Sequence, residues 1–284
     1  MRKIQAIVMQ YVFMLSALTS VLAVTLICLF LFANGIPAIN EIGWRDFLLG
    51  REWSPSDAPP AFGIFPMIVG SVYITAGAIA VGVPVGILTA VFLARVCPKP
   101  LYALISPMVG LMAGIPSVVY GFFGVVILVP MVRELFGGNG SSILAASLLL
   151  GIMILPTIIS ISESAIRAVP AELYDGAVAL GASHERAVFA VILPAAKSGI
   201  LAAIVLGIGR AVGETMAVIM VAGNQVRIPG GILQGARTLT ANIVIEMGYA
   251  AELHREALIA TGVVLFAFIL LINLLFFSLE KKVL

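Results

Sequence analysis

The sequence predicts an all-α polytopic membrane protein with six transmembrane helices. Of its 284 residues, 61% are hydrophobic and 11% are charged, and the mean hydropathy is +1.16. Water-soluble proteins are about 45–50% apolar and about 25% charged. The composition therefore excludes a soluble enzyme, a nucleic-acid-binding module and a disordered chain. The few charges are clustered, and several of the gaps between them can hold the roughly 20 apolar residues that cross about 30 Å of hydrocarbon.

These gaps define the helices in chain order. We predict transmembrane helices over about 8–33, 67–94, 101–130, 143–162, 198–222 and 257–279. The third is interrupted by Pro107 and Pro116, and a proline removes a backbone hydrogen bond and disturbs the preceding turn. Such a break persists in a membrane only where protein or a wet cavity satisfies the freed groups. The segment 114–121, which contains Ser117 and Tyr120, is therefore either a lining of a translocation pathway or a plain proline kink.

Lysine and arginine residues predict the orientation, because they are more frequent in cytoplasmic loops. They occur at both chain ends, as Arg2, Lys3, Lys281 and Lys282, and in the loops 95–100 and 163–197. We therefore assign these two loops, the N-terminus and the C-terminus to the cytoplasm.

Local signals predict two short helices in the long loop 163–197. Pro170 suits the first turn of a helix, and Gly181 suits the position just after its end. Ser183 can cap a second helix, which ends near Pro194. We expect the apolar positions of these helices to dock on a partner or on the helix bundle.

The same loop carries a spaced motif that consists of Asp175-Gly176-Ala177, three residues, Gly181, nine residues and Val191-Ile192-Leu193-Pro194. It resembles the Glu-Ala-Ala, Gly, Ile-x-Leu-Pro loop of integral subunits of ABC importers, with three substitutions at the same spacing. The resemblance implies a type I ABC importer permease (MetI-like) fold whose cytoplasmic coupling helix contacts a separate ATP-hydrolysing chain. An ordinary loop between helices is the alternative. The coupling residues implied are Glu172, Asp175, Gly176, Ala177, Gly181, Leu193 and Pro194.

Two charges, Arg210 and Glu214, lie near the middle of the fifth predicted helix. A charge at the bilayer centre costs about 2.5–3.5 kcal/mol on insertion scales. At a spacing of four the two side chains share one helical face and can neutralise each other, so a purely structural ion pair is one interpretation. A guanidinium also matches the oxygens of an oxyanion two at a time. We predict that Arg210, Glu214 and Thr215 line a pathway for such an anion.

Longer runs narrow the resemblance. Gly-Arg-Ala-Val-Gly-Glu-Thr-Met-Ala-Val at 209–218, Gly-Ile-Pro-Ser-Val-Val-Tyr-Gly at 114–121 and Thr-Leu-Thr-Ala-Asn-Ile at 238–243 are similar to the PstC type of phosphate ABC transporter permease. The likeness begins near residue 60. We therefore divide the chain into 1–60, an N-terminal transmembrane helix and extracytoplasmic loop, and 61–284, the permease domain. The PstA type shares the Arg-Ala-x-Gly-Glu core and is a near neighbour.

The resemblance implies a set of partners and a location. It implies a PstA-type second permease, two PstB-type ATP-binding subunits, an extracytoplasmic PstS-type phosphate-binding protein, phosphate itself and membrane lipid, with no nucleic acid. The location implied is the cytoplasmic (inner) membrane of a bacterium. Thr238, Thr240 and Asn242 are weaker candidates, as donors to an anion at the outer mouth of the pathway. A solvated loop is the other interpretation of that region.

Motifs for chemistry are missing from the sequence. It has no P-loop, no zinc-protease motif and no Gly-x-Ser-x-Gly elbow. We therefore predict a transport subunit with no catalytic residue, metal or cofactor. Two other functions stay open: a permease for another oxyanion, such as molybdate, sulfate or phosphonate, and an ion-driven secondary carrier.

Overall fold

The computed structural model describes the backbone of residues 2–281, and it describes the side chains of 7–275 and Ser278. The charges at the chain ends that entered the orientation prediction, Arg2, Lys3, Lys281 and Lys282, lie outside the described side chains. The predicted cytoplasmic termini therefore stay a prediction.

Helices dominate the described chain, and one small antiparallel β-hairpin pairs Trp53 with Phe62. Three π-helical turns lie within or at the ends of longer helices, at Phe92–Val96, Gly124–Leu128 and Val188–Ile192. The elements in chain order are α1 (Arg2–Ile42), α2 (Trp44–Leu49), β1 (Trp53–Ser54), β2 (Ala61–Phe62), α3 (Phe65–Val91), α4 (Lys99–Ala113), α5 (Ser117–Phe123), α6 (Val129–Phe136), α7 (Ile143–Arg167), α8 (Ala171–Ala179), α9 (His184–Ala187), α10 (Leu193–Ala195), α11 (Lys197–Gly213), α12 (Met216–Val221), α13 (Leu239–Glu246) and α14 (Glu252–Lys281).

Five stretches of the described chain are long and apolar enough to cross a membrane, and a bent pair makes a sixth. The five are Ile7–Ile42, Phe65–Val96, Ser117–Phe136, Ile143–Arg167 and Glu252–Leu275, and the pair is His184–Ala195 with Lys197–Gly213, bent by 69°. The prediction of an all-α chain with up to six spanning helices is confirmed.

The boundaries of the third predicted helix are wrong. Instead of one helix over 101–130, α4 ends at Ala113 and a new span begins at Ser117. Pro116 has an extended backbone (φ −59°, ψ 142°) at the start of α5, and the residue before a proline disfavours the helical conformation. The fifth predicted helix, 198–222, is also divided, because α11 ends at Gly213 and α12 begins at Met216.

Helix α7 is the centre of the larger apolar core, and α3 and α11 pack against it. The approach is close because both neighbours present glycines. A Cβ atom at Gly82 or Gly86 of α3, or at Gly207 of α11, would meet Ile154 or Ile158 of α7 at 2.7–3.1 Å. Inside a membrane the hydrophobic effect does not drive helices together, because lipid tails are as apolar as the side chains. Helices associate through close packing instead, and small residues make it possible.

A methyl group at Gly82 tests this packing. A Cβ there would lie 2.7 Å from Ile154 and 2.9 Å from the carbonyl oxygen of Gly151. Because a backbone atom cannot move aside, we expect Gly82→Ala to lower the free energy of unfolding by about 1–3 kcal/mol. The thermal midpoint of the chain in detergent measures this. Gly110→Ala is the control, since a Cβ atom there would meet no heavy atom within 4 Å beyond the backbone of its own helix. Equal midpoints for the two variants would refute the packing argument.

A second apolar cluster is separate from the core around α7. It joins the last turns of α1 with α2, the hairpin, α13 and the beginning of α14. By contrast, the described residues of the N-terminal half of α1 are exposed in the isolated chain.

Candidate translocation pathway and coupling loop

Arg210 lies in the last turn of α11 and faces α7. Its Nη1 donates a hydrogen bond to Thr157 Oγ1 at 3.3 Å, and both side chains are partly buried. Thr157 was not among the sequence candidates. The sequence indicates it only weakly, as a hydroxyl residue that follows Pro156 in a segment without charges. The pair leaves most of the guanidinium donors of Arg210 available for a ligand.

Glu214 forms no ion pair with Arg210, so the structure does not support the alternative interpretation of a structural ion pair. The ion pairs within 4.0 Å among the described side chains are Glu163–Arg167, Arg237–Glu246 and Glu246–His254. The physical reason is the backbone at Glu214, which is extended (φ −71°, ψ 130°) and ends α11.

The carboxylate of Glu214 serves the next helix instead. Its Oε1 accepts a hydrogen bond from the backbone N–H of Ala217 at 3.2 Å, in the first turn of α12. A carboxylate is favourable at this place because the first N–H groups of a helix have no partner within it. Thr215 follows in the turn, and its hydroxyl donates to the carbonyl of Gly213.

Two helix breaks meet in this region. Helices α5 and α12 pack together, with Gly121 close to Ala217 and Met220. Tyr120 is buried, and its hydroxyl donates to the carbonyl of Met112 at 2.9 Å, which satisfies a group freed at the end of α4. Ser117 opens α5 and is partly exposed. The candidates on α5 and those around Glu214 therefore lie on neighbouring elements, although they are about 95 positions apart in sequence.

The three outer candidates are turned into the protein. Thr238 and Thr240 are nearly buried and Asn242 is fully buried. Thr238 caps α13 by accepting from the N–H of Ala241, and Asn242 Oδ1 accepts from Arg237. In this conformation their hydroxyl and carbonyl groups are engaged with protein. The Nδ2 of Asn242 is a buried donor with no protein partner.

A buried charge network lies beside them. Glu246 accepts hydrogen bonds from Arg237, from Trp53 Nε1 at 2.8 Å and from His254 Nε2 at 2.9 Å. Sequence reasoning missed this network, because Trp53 and Glu246 are 193 positions apart. The only signal was the presence of these polar residues between apolar segments.

The loop 163–197 folds as the sequence predicts. Helix α8 follows Pro170, Gly181 has a positive φ of +86°, and Ser183 caps α9 by accepting from the N–H of Arg186. A hydrogen bond of 2.8 Å between the Tyr174 hydroxyl and His184 Nδ1 holds α8 against α9.

The outer face of the loop is apolar and open. No residue of α8 is buried, and Leu180 is 92% exposed. Ala177, Leu180, Gly181 and Val191 line a cavity of about 410 Å³. Glu172, Asp175 and Gly176 are also exposed. Leu193 packs against an apolar cluster that includes Ile166 and Ile192, and Pro194 lies in α10. Exposed apolar surface with a polar rim is typical of a protein interaction site.

Two arginines join this loop to the bundle. Arg95 donates to the carbonyl of Ile166, and Arg167 donates to the carbonyl of Leu93, both at 2.8 Å. Arg167 also pairs with Glu163 and lies over the ring of Tyr102 on α4. The ends of α3 and α7 are therefore tied together immediately before α8 begins.

The fold and the composition define a multi-pass membrane protein of the transport class. Residues 82–284 match the family model described as binding-protein-dependent transport system inner membrane component. The chain belongs to this family. It is accordingly a transport subunit of an ABC importer, whose ATPase and binding protein are separate chains.

Relatives match over most of the chain. The probable ABC transporter permease protein YqgH of Bacillus subtilis is 38% identical over 276 residues, which cover 94% of this chain and 89% of the relative. The phosphate transport system permease protein PstC of Mesorhizobium japonicum is 35% identical and covers 85% of this chain and 80% of its own. The PstC protein of Xylella fastidiosa is 33% identical over 83% of this chain and 80% of its own.

Solved structures share the fold. The inward-facing MetNI methionine ABC transporter matches with a TM-score of 0.62 at 22% identity, over 78% of this chain and 97% of that chain. A bacterial alginate ABC transporter matches with a TM-score of 0.63 at 17% identity, over 94% of both chains. The predicted type I ABC importer permease fold is confirmed.

Proposed function

We propose that this chain is the PstC-type permease of an ATP-driven importer and that it translocates inorganic phosphate. The observation that carries the proposal is Arg210. It is a partly buried guanidinium with one weak protein hydrogen bond and no ion-pair partner among the described residues. The relatives named PstC support phosphate as the substrate.

The chemistry of the site suits a weakly held anion. A guanidinium binds phosphate oxygens in pairs, and the surrounding low dielectric strengthens the attraction. Glu214, at the nearby break, repels a multiply charged anion. A passage needs such a balance, because binding must be strong enough for entry and weak enough for release. Ser117, Tyr120 and Thr215 supply hydroxyl groups around the two breaks. Thr238, Thr240 and Asn242 lie behind the outer end of the same pathway in this conformation, with their side chains bound to protein.

The assembly follows from the docking loop and the missing P-loop. We propose that α8, with Glu172, Asp175, Gly176, Ala177 and Gly181, contacts one of two PstB-type ATPases, and that Leu193 and Pro194 anchor the loop to the bundle. A PstA-type permease and a PstS-type phosphate-binding protein complete the complex. In this arrangement the loop and both termini are cytoplasmic, residues 61–284 form the permease domain, and 1–60 add the first helix and outer loop.

Competition between anions tests the choice of substrate. We expect excess unlabelled phosphate to suppress uptake of radiolabelled phosphate by the complete complex. The same concentration of molybdate, sulfate or phosphonate should leave most of that uptake unchanged. Suppression by one of these oxyanions at lower concentration than phosphate would contradict the proposal. It would instead support a permease for that oxyanion. An ion-driven secondary carrier is not favoured, since the chain belongs to a family of ABC importer subunits.

A further inference from the structure

We propose that Thr240 and Glu246 are positioning residues for Glu214, the carboxylate at the break between α11 and α12. Helix α13 connects them: its first residues hold the break, and its last residue is held by the outer hairpin. The inference rests on the proposed function, because it assigns these residues a part in the transport of the same anion.

The inner end of α13 contacts the break through a directed chain of hydrogen bonds. The N–H of Ala241 donates to Thr238 Oγ1 at 3.2 Å, and the Thr238 and Thr240 hydroxyls are 3.0 Å apart. Thr240 Oγ1 then donates to the backbone carbonyl of Glu214 at 3.2 Å. Each hydroxyl has one proton to give. Since Thr240 gives its proton to Glu214, Thr238 gives its own to Thr240, and the chain runs from α13 to the break.

This carbonyl matters for the position of the carboxylate. Glu214 is extended, so its carbonyl has no helical partner, and its side chain is held only at Ala217. The Thr240 hydroxyl fixes the main chain of Glu214 from one side, while the Ala217 N–H fixes the carboxylate from the other. Without the first contact, the turn can rotate and change where the carboxylate lies relative to Arg210.

The outer end of α13 is fixed by Glu246. Its carboxylate is 8% exposed and accepts from Trp53 on the hairpin, from His254 on α14 and from Arg237. Arg237 also donates to Asn242 in the middle of α13 and to the carbonyl of Asn224. A buried ion pair adds little net stability compared with apolar packing. Its value here is therefore geometric: it sets the position of α13 between the outer hairpin and the break.

Helix α3 supports the same segment. The N–H of Leu239 donates to Ser71 Oγ at 3.0 Å, and a Cβ atom at Gly70 would collide with the carbonyl oxygen of Arg237. The start of α13 therefore cannot shift without moving α3. This holds the Thr240 hydroxyl in place beside the carbonyl of Glu214.

Removal of one hydroxyl tests the proposal. Thr240→Val keeps the shape of the side chain and removes its donor. We expect the maximal rate of phosphate uptake per assembled complex to fall about tenfold, with the phosphate concentration at half-maximal rate unchanged. Thr240→Ser restores the donor and should transport at close to the wild-type rate. Thr261→Val is the matched control, because Thr261 is also buried but donates to Ala257 in its own helix.

A double-mutant cycle separates positioning from general stability. If Thr240 acts through Glu214, Thr240→Val should add nothing to the loss caused by Glu214→Gln, which we expect to retain measurable uptake. Contacting residues deviate from additivity in this way, whereas independent sites add. Wild-type uptake by Thr240→Val, or fully additive losses, would overturn the inference. The proposed function would still stand if Arg210→Gln abolished uptake in the same assay.

A second arm tests the outer end. Glu246→Gln removes the charge and should give the same loss, again without adding to Glu214→Gln. If that variant does not assemble, Trp53→Phe removes only one donor to Glu246 while it keeps an aromatic ring. We expect Trp53→Phe to lower the maximal rate about twofold to threefold. An unchanged rate would overturn the part assigned to Glu246.

Discussion

We expect Arg210→Gln to abolish phosphate uptake while the complex still assembles. Glutamine is polar, uncharged and shorter than arginine, so it fits in the same space beside α7 but loses the contact of Nη1 with Thr157. What is lost is the fixed positive charge and its paired donors. Two charge-assisted hydrogen bonds of about 1.5–3 kcal/mol each correspond to a loss of roughly 100-fold or more in rate. Uptake of radiolabelled phosphate into cells, normalised to the amount of assembled complex, measures this.

The matched control for Arg210→Gln is Arg133→Gln. Arg133 is exposed in α6 and forms no ion pair among the described residues, so the same chemical change should leave uptake close to wild type. Wild-type rates for Arg210→Gln would show that the guanidinium does not meet the anion, whatever the control does.

We expect Ala177→Asp to prevent recruitment of the ATPase. Ala177 lies on the open apolar face of α8, beside Leu180 and Val191. Docking of a partner there removes water from the side chain, and a buried, unpaired carboxylate costs several kcal/mol. We therefore expect at least about a 100-fold weaker association, which means no ATPase co-purifying with the permease and no ATP-dependent uptake.

Ala251→Asp is the control for that variant. Ala251 is exposed and lies beside Glu252, at the other end of the fold from α8, so a carboxylate there should leave ATPase co-purification unchanged. Full co-purification of the ATPase with the Ala177→Asp variant would contradict the assignment of α8 as the coupling helix.

Features set by local chemistry were predictable from the sequence. The coupling loop is the clearest case, because Pro170, Gly181 and Ser183 each favour one backbone conformation regardless of distant contacts. The structure has all three where they were expected. Composition likewise predicted the spanning helices, since charges are costly in hydrocarbon.

Features set by contacts between distant segments were not predictable. Helical periodicity placed Arg210 and Glu214 on one face, but α11 ends at Gly213 and the Thr240 hydroxyl supports the turned backbone. Likewise, nothing near Glu246 in sequence indicates that Trp53 binds it. The boundaries of the third predicted helix were wrong for a local reason that is visible in the sequence. Pro116 ends the helical conformation just before it, and Tyr120 satisfies a freed carbonyl of α4.

The central claim is that Arg210 meets a phosphate ion whose movement is driven by ATP on a partner chain. Proteoliposomes that contain the complete complex test it most directly, by uptake of radiolabelled phosphate with ATP supplied or withheld on the side of the ATPase. The account predicts ATP-dependent uptake by the wild-type complex and only background uptake by the Arg210→Gln complex under both conditions. The account would be contradicted if the wild-type complex took up phosphate at the same rate with and without ATP. It would also be contradicted if the Arg210→Gln complex showed ATP-driven uptake at the wild-type rate.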